Sequence, residues 1–246
     1  MKHLFFILFA SVYFFSCTTP VVDPTDPMDP MEEEPGSLKI GLLAHFDFNG
    51  HANDVSGGNY SGIIHGATIV PDRNGEPAGA FSFDGDDYID LGNIQELAFG
   101  GFSTYTMTAW VKAADLGANS SSFTVASKFN GGVSAGWYLS INSNSKLKAF
   151  RNVVPWSIVS TQDVEREEFV HVAASYDGAN FTVYINGEVE SSSPFTSQPS
   201  DVVTSVLVGA AHDQNNIVPS FKGVIDDLRF YNRVLTDDEF EYLVQN

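Results

Sequence analysis

The stretch Phe221–Phe240, FKGVIDDLRFYNRVLTDDEF, decides the fold. Alternation with period two predicts a strand that puts Val224, Leu228 and Phe230 on one face. Asp226 falls on that same apolar face. A carboxylate there costs several kcal/mol unless it is paired, hydrogen-bonded or metal-bound. The strand is therefore expected either to meet the rim of a sheet at Asp226 or to carry a neutralising partner there. Thr236 with Glu239 forms a capping box, and Leu235 and Phe240 occupy the two positions of a hydrophobic staple. A short helix, Asp237 to Val244, is predicted to follow.

Upstream the texture is that of an all-β protein. Short runs of Val, Ile, Phe, Tyr and Thr are separated by Gly, Asn, Asp and Ser. Strands are predicted at Leu42–Phe48, Ala80–Phe83, Tyr88–Leu91, Tyr105–Lys112, Phe123–Lys128 and Trp137–Asn142. Others are predicted at Lys146–Asn152, Phe169–Tyr176, Phe181–Asn186, Val206–Ala211 and Gly223–Tyr231. Asp177-Gly178 and Asn186-Gly187 are turn dipeptides that meet a positive φ at low cost, so Phe169 to Glu190 reads as a three-stranded meander. Strand number and turn spacing predict a two-sheet antiparallel sandwich spanning Leu38 to Asn246, a length ample for a large core.

Four segments resemble the laminin-G-like, concanavalin A-like jelly-roll domains of the pentraxin-like branch. They are HFDFNGHANDVSGG, AFSFDGDDYIDLG, FVHVAASYDGANFTVYINGE and the closing strand with its Ile-Asp-Asp and Tyr-Asn-Arg pattern, in the family's order. The resemblance implies a jelly roll whose first strand lies beside its last. It also implies a structural calcium. Asp47, Asn49, Asn53 and Asp54, in the loop after the first strand, would act with Asp226 and Asp227 as its oxygen ligands. Adjacent Asp226 and Asp227 can both point into one site only across a bulge. The rival reading has these carboxylates capping turn amides and pairing with Arg229 or Arg233. Asp86 and Asp87, beside Gly85, form a weaker ligand pair for which a tight turn is preferred.

At the other end, Lys2 precedes an apolar run from Leu4 to Phe15, shorter than the ~20 residues needed to cross a bilayer. Ser16 then leads into Cys17, the only cysteine of the chain. Residues 1–16 thus read as a signal peptide. The junction resembles a lipobox of the looser Bacteroidetes type, with Phe14 where an aliphatic residue is more usual, and implies lipidation of Cys17. A membrane-anchored lipoprotein at the outer membrane or cell surface is expected. Residues 17–37, with five prolines and Glu32-Glu33-Glu34, read as an extended acidic tether.

The chain carries 31 acidic and 12 basic side chains, a formal charge of −19, and no basic stripe, which excludes nucleic acid as a partner. Catalytic patterns fail in turn. The Glu-x-Asp-x-x-Glu motif of laminarinase-type glucanases is absent, and Glu165-Arg166-Glu167-Glu168 reads as a solvated turn. Gly132 to Gly136 has the letters of a nucleophile elbow, but a strand follows it where that elbow needs a helix. The histidines lack zinc spacing, and His171 reads as a hydrogen-bonded strand residue. What remains is a non-catalytic recognition module. Its leading ligand is a glycan, the alternatives being a surface protein or a purely structural role, and more weakly a glycoside-active site. Trp156, Trp137 with Tyr138, and the polar loop from Asp213 through Asn215 to Asn216 are the candidate contacts, by ring stacking and amide hydrogen bonds.

Overall fold

A computed structural model describes residues 34–100, 104–115, 122–133, 135–195, 202–214 and 216–246. The signal segment, Cys17, most of the tether and Asn215 lie outside the described residues. In chain order the strands are β1 (Leu42–Phe46), β2 (Ile63–His65), β3 (Thr68–Val70), β4 (Ala80–Asp84), β5 (Tyr88–Asp90), β6 (Tyr105–Ala113), β7 (Phe123–Asn130), β8 (Ala135–Ile141) and β9 (Lys146–Arg151). They continue as β10 (Ser157–Asp163), β11 (Val170–Tyr176), β12 (Asn180–Ile185), β13 (Glu188–Pro194), β14 (Leu207–Val208), β15 (Ala210–Asp213), β16 (Asn216–Pro219) and β17 (Lys222–Tyr231). The single α-helix among the described residues is α1 (Asp237–Gln245).

Two sheets face each other. The first runs β13-β12-β11-β6-β17-β4-β3, with β1 also on β17; the second runs β10-β9-β8-β7-β14-β5-β2, with β15 on β7 and β16 on β15. The inner faces meet in one core that includes Phe46, Phe81, Met107, Val111, Leu139, Val172, Ile225 and Phe230. The meander appears as β11, β12 and β13, and its turn residues Gly178, Asn186 and Gly187 all take the positive φ expected of them. The stretch read as one strand over Val206–Ala211 is split at Gly209. This residue has φ +80°, and a Cβ there would come within 2.8 Å of the Phe83 ring.

The closing strand departs from simple alternation. Between Asp226, opposite Trp110, and Arg229, opposite Thr108, two residues of β17 face one of β6. This is a β-bulge, with Asp227 at φ +48° as the extra residue. The bulge flips the parity of the strand. Ile225, Leu228 and Phe230 enter the core together, whereas Asp226 does not share the face of Leu228 and Phe230 as alternation predicts. The shift falls where β17 exchanges β4 for β1 as its neighbour.

The outer face of the first sheet is covered. Phe240 and Leu243 of α1 pack with Leu38, Ala173, Tyr184, Tyr231 and Leu235 in a second, smaller core. Each such burial contributes about 1.5–3 kcal/mol. The capping box forms as expected: Thr236 Oγ1 accepts from Glu239 N at 3.3 Å, and Thr236 N donates to Glu239 Oε2 at 2.9 Å. Arg233 adds two hydrogen bonds to the same carboxylate, at 2.6 and 2.8 Å. This cover explains why β6 and β11 are buried almost throughout, on both faces.

Candidate functional site

The bulge brings Asp226 and Asp227 into one site, and the cation that meets them there is Arg73. Its Nη1 donates to Asp226 Oδ2, and its Nη2 lies 3.5 Å from Asp227 Oδ2. Arg229 Nε donates to Asp227 Oδ1 at 2.8 Å, and His45 Nε2, from β1, reaches the same oxygen at 2.7 Å. Arg73 also lies 5.2 Å above the Trp110 ring and donates to the Asn246 carbonyl oxygen at 2.9 Å. The two carboxylates respond oppositely. Burial and the adjacent Asp227 push Asp226 up to about 7 against the pull of Arg73. Burial acts on Asp227 too, but Arg229 and the hydrogen bond from His45 outweigh it and hold that carboxyl well below the usual range. His171, next to Trp110 across the sheet, is a buried strand residue as expected. Neither of its ring nitrogens, however, has a hydrogen-bond partner among the described residues.

Two guanidinium groups on two carboxylates leave no charge for a divalent ion, so Asp226 and Asp227 do not fit a calcium cage. The pairing with Arg229 foreseen in the rival reading is present; Arg73 is the partner it lacked. Asp47 and Asn49 cap their own turn instead of reaching the pair: Asp47 Oδ1 accepts from Asn49 N at 3.3 Å, and Oδ2 accepts from Asn49 Nδ2 at 3.1 Å. Asp54 Oδ1 accepts from the backbone of His45 and of Ser56, both at 2.9 Å. Its Oδ2 is buried with no hydrogen-bond partner among the described residues. No group of three His, Cys, Asp or Glu side chains able to hold a metal occurs among the described residues. The residues around Gly85 form the tight turn, with Asp84 Oδ1 accepting from Asp86 N and Asp87 Oδ2 from Asp84 N, both at 2.9 Å.

The outer face of the second sheet carries a row of rings. Tyr138 of β8 stands opposite Phe150 of β9, and their rings stack at 4.7 Å and 3°. Trp156, just before β10, continues the stack on Phe150 at 6.4 Å and 14°. Phe129 of β7 closes one side, 5.3 Å from Tyr138 and 5.2 Å from Phe150 and nearly perpendicular to both. Because the stacked rings cover one another, this strip offers solvent mainly ring edges and the outer side of Trp156, which is 52 % exposed. Beside Tyr138 lies a depression of about 120 Å³ lined by Ser122, Thr124, Phe129, Tyr138, Ser140, Lys148 and Ala211. A larger groove of about 480 Å³, between the β12–β13 turn and α1, has an acidic rim of Glu188, Asp237 and Glu241 and no aromatic lining.

Of the two tryptophans expected as ligand contacts, only Trp156 qualifies. Trp137 is 2 % exposed, packs on Phe99 and Phe230, and donates from Nε1 to the Leu97 carbonyl at 2.6 Å. Neighbouring residues of a strand point to opposite faces, so placing Trp137 in the core sends Tyr138 outward. Asp213 is exposed at the end of β15, beside the Gly131 turn and at the same end of β7 as Phe129. Phe129 and Phe150 are the members of the aromatic strip that sequence reasoning missed. In β9, Phe150 shares its parity with Lys146 and Lys148, and that pattern marks an outward ring.

The chain belongs to the concanavalin A-like lectin/glucanases superfamily, whose laminin-G family model matches residues 83–240. In its fold it is similar to the binding domain of Paraclostridial Mosquitocidal Protein 1 (TM-score 0.69, 16 % identity, 84 % of this chain and 52 % of that one). It is also similar to the receptor binding domain of botulinum neurotoxin C/D mosaic serotype (TM-score 0.66, 15 % identity, 84 % and 51 %). The chain thus spans about half the length of these toxin domains. A third similar structure is Domain 4 of AbnA, a GH43 extracellular arabinanase from Geobacillus stearothermophilus, in complex with arabinotriose (TM-score 0.60, 23 % identity, 83 % and 98 %). No curated protein matches the chain in sequence.

Proposed function

We propose that this protein is a non-catalytic recognition module, anchored to a membrane surface through Cys17, that binds a glycan on the open face of its second sheet. The observation that carries this reading is the strip of Phe129, Tyr138, Phe150 and Trp156. Four aromatic side chains stand together outside the core, and hydroxyl side chains lie beside them. Rings supply apolar contact to sugar C–H faces, and hydroxyls and amides supply orientation. That the similar domain of the arabinanase was seen with arabinotriose supports the reading, on a shared fold alone. Covering of the first sheet by α1 supports the choice of face.

A calcium ion remains in the proposal only at Asp54, in the loop after β1, whose Oδ2 is buried with no hydrogen-bond partner among the described residues. Two experiments test these readings. In a glycan-array screen, Trp156→Ala and Tyr138→Ala are expected to abolish binding while circular dichroism stays as in wild type and unfolding remains cooperative. Retained binding in both variants sinks the strip as the site. Calcium against chelator is expected to raise the unfolding midpoint by several degrees, and the rise is expected to vanish in Asp54→Asn. An unchanged midpoint removes the metal.

A further inference from the structure

We infer that the depression beside Tyr138 takes an anionic sugar residue, one bearing a carboxylate or a sulfate ester, with Lys148 as its counter-charge. This rests on the reading of the aromatic strip as a glycan site and goes beyond it by naming the chemical class of the ligand.

In a chain with 31 acidic and 12 basic side chains, a patch without carboxylates needs a reason. The lining of the depression contains none, and its single charge is the Lys148 ammonium. Several other cations of the molecule are already paired with carboxylates. Arg73 and Arg229 meet Asp226 and Asp227, Arg233 holds Glu239, and Lys146, two residues before Lys148 on the same strand face, lies 2.6 Å from Asp163. Lys148 has no carboxylate partner among the described residues, and its Nζ lies 5.5 Å from the Tyr138 ring centroid. Its charge is therefore held against the strip instead of being spent on a neighbour.

A neutral sugar stacked there offers that ammonium only uncharged oxygen acceptors. A sugar carrying an anion beside its apolar face gives it a charge-assisted hydrogen bond, the stronger kind. The hydroxyls of Thr124 and Ser140 stand in the same lining for the hydroxyls of that sugar. Strand register fixes the arrangement, since Ser140 lies directly opposite Lys148.

The test uses the full chain and isothermal titration with four probes: oligogalacturonate, its methyl ester, a sulfated galactan oligosaccharide and a neutral xylo-oligosaccharide. The expected result is binding of the free acid or of the sulfate ester at least about tenfold tighter than of the methyl ester and the neutral probe. Preference between the two anions then identifies which one the site takes. Lys148→Gln is expected to erase the preference with no change in unfolding midpoint, and Lys148→Arg to keep most of it. Equal affinity for acid and ester, or a preference that survives Lys148→Gln, overturns the inference. Trp156-dependent binding of the neutral probe or the ester without charge preference overturns it as well, while leaving the glycan reading in place. Absence of binding to all four overturns both.

Discussion

Replacing Arg73 by Met keeps an apolar stem against Trp110 and removes the guanidinium from Asp226. Asp227 keeps Arg229 and His45, so the loss is concentrated on one carboxylate that is 1 % exposed. With Arg73 in place, Asp226 gives up its proton near pH 7. Without it, that proton is held to a higher pH, because an unpaired charge in this position has neither water nor a cation. The sign follows. Above pH 7 the folded variant binds a proton that the folded wild type has released, while the unfolded chains are alike. The variant therefore loses about 1.4 kcal/mol relative to wild type for each pH unit above 7 until its own carboxyl ionises. At pH 6 the bond to the Asn246 carbonyl, the contacts with the protonated Asp226 and the long contact with Asp227 are lost with part of the stacking, about 1–2 kcal/mol. By pH 9 the total reaches about 3–5 kcal/mol, the range for breaking a buried pair. At 2–4 °C per kcal/mol for a domain of this size, the midpoint gap widens from about 4 °C to about 12 °C. Urea unfolding at the two pH values measures it, and adding Asp226→Asn is expected to remove the pH-dependent part. A gap that does not change with pH refutes the claim that Arg73 neutralises Asp226.

Three further outcomes are expected. Burial lowers His171 from 6.5 to about 4, so the stability this neutral ring contributes is complete above pH 6.5 and is lost as pH falls toward 4, by about 3 kcal/mol. The difference in unfolding free energy between wild type and His171→Leu is expected to shift by that amount across the window, and a flat difference argues against burial as the cause. Trp137→Ala is expected to cost about 3–5 kcal/mol in chemical denaturation and Trp156→Ala less than about 0.5 kcal/mol, which separates the core ring from the surface ring. Arg151 is fully buried with its guanidinium 4.0 Å from the Tyr176 ring centroid and no hydrogen-bond partner for its side-chain nitrogens among the described residues. Arg151→Met is expected to hold or raise stability, by up to about 4 kcal/mol, because relief of the buried charge exceeds a cation–π contact of about 2 kcal/mol. A loss beyond about 2 kcal/mol means that the surrounding rings solvate the cation fully.

Local chemistry made much of the fold legible. Leu235, Thr236, Glu239 and Phe240 announce the helix by themselves, and Asp177-Gly178 and Asn186-Gly187 announce the meander, because these signals act within a few residues. The strands that escaped reading are short or polar. β2 and β3 have three residues each, and β10 is a polar edge. The site was less legible for a different reason. Which of Trp137 and Tyr138 faces out depends on the register against a distant core, and adjacent aromatic letters are symmetric under that choice. Counting by twos along β17 fails at Asp227, since nothing local distinguishes a bulge residue from an ordinary one. Arg73 lies 153 positions from Asp226, and only tertiary structure brings them together.

The helix laid over the first sheet has a consequence for avidity. With one face closed, each domain offers a single open face, so a module that binds through that face is monovalent. At the glycan site proposed above, a monovalent contact through ring edges and one exposed indole would grip a polymer briefly. Under the proposed function, durable capture depends on how densely copies are arrayed and on how often the polymer repeats its epitope, because each added engagement then occurs at a raised effective concentration.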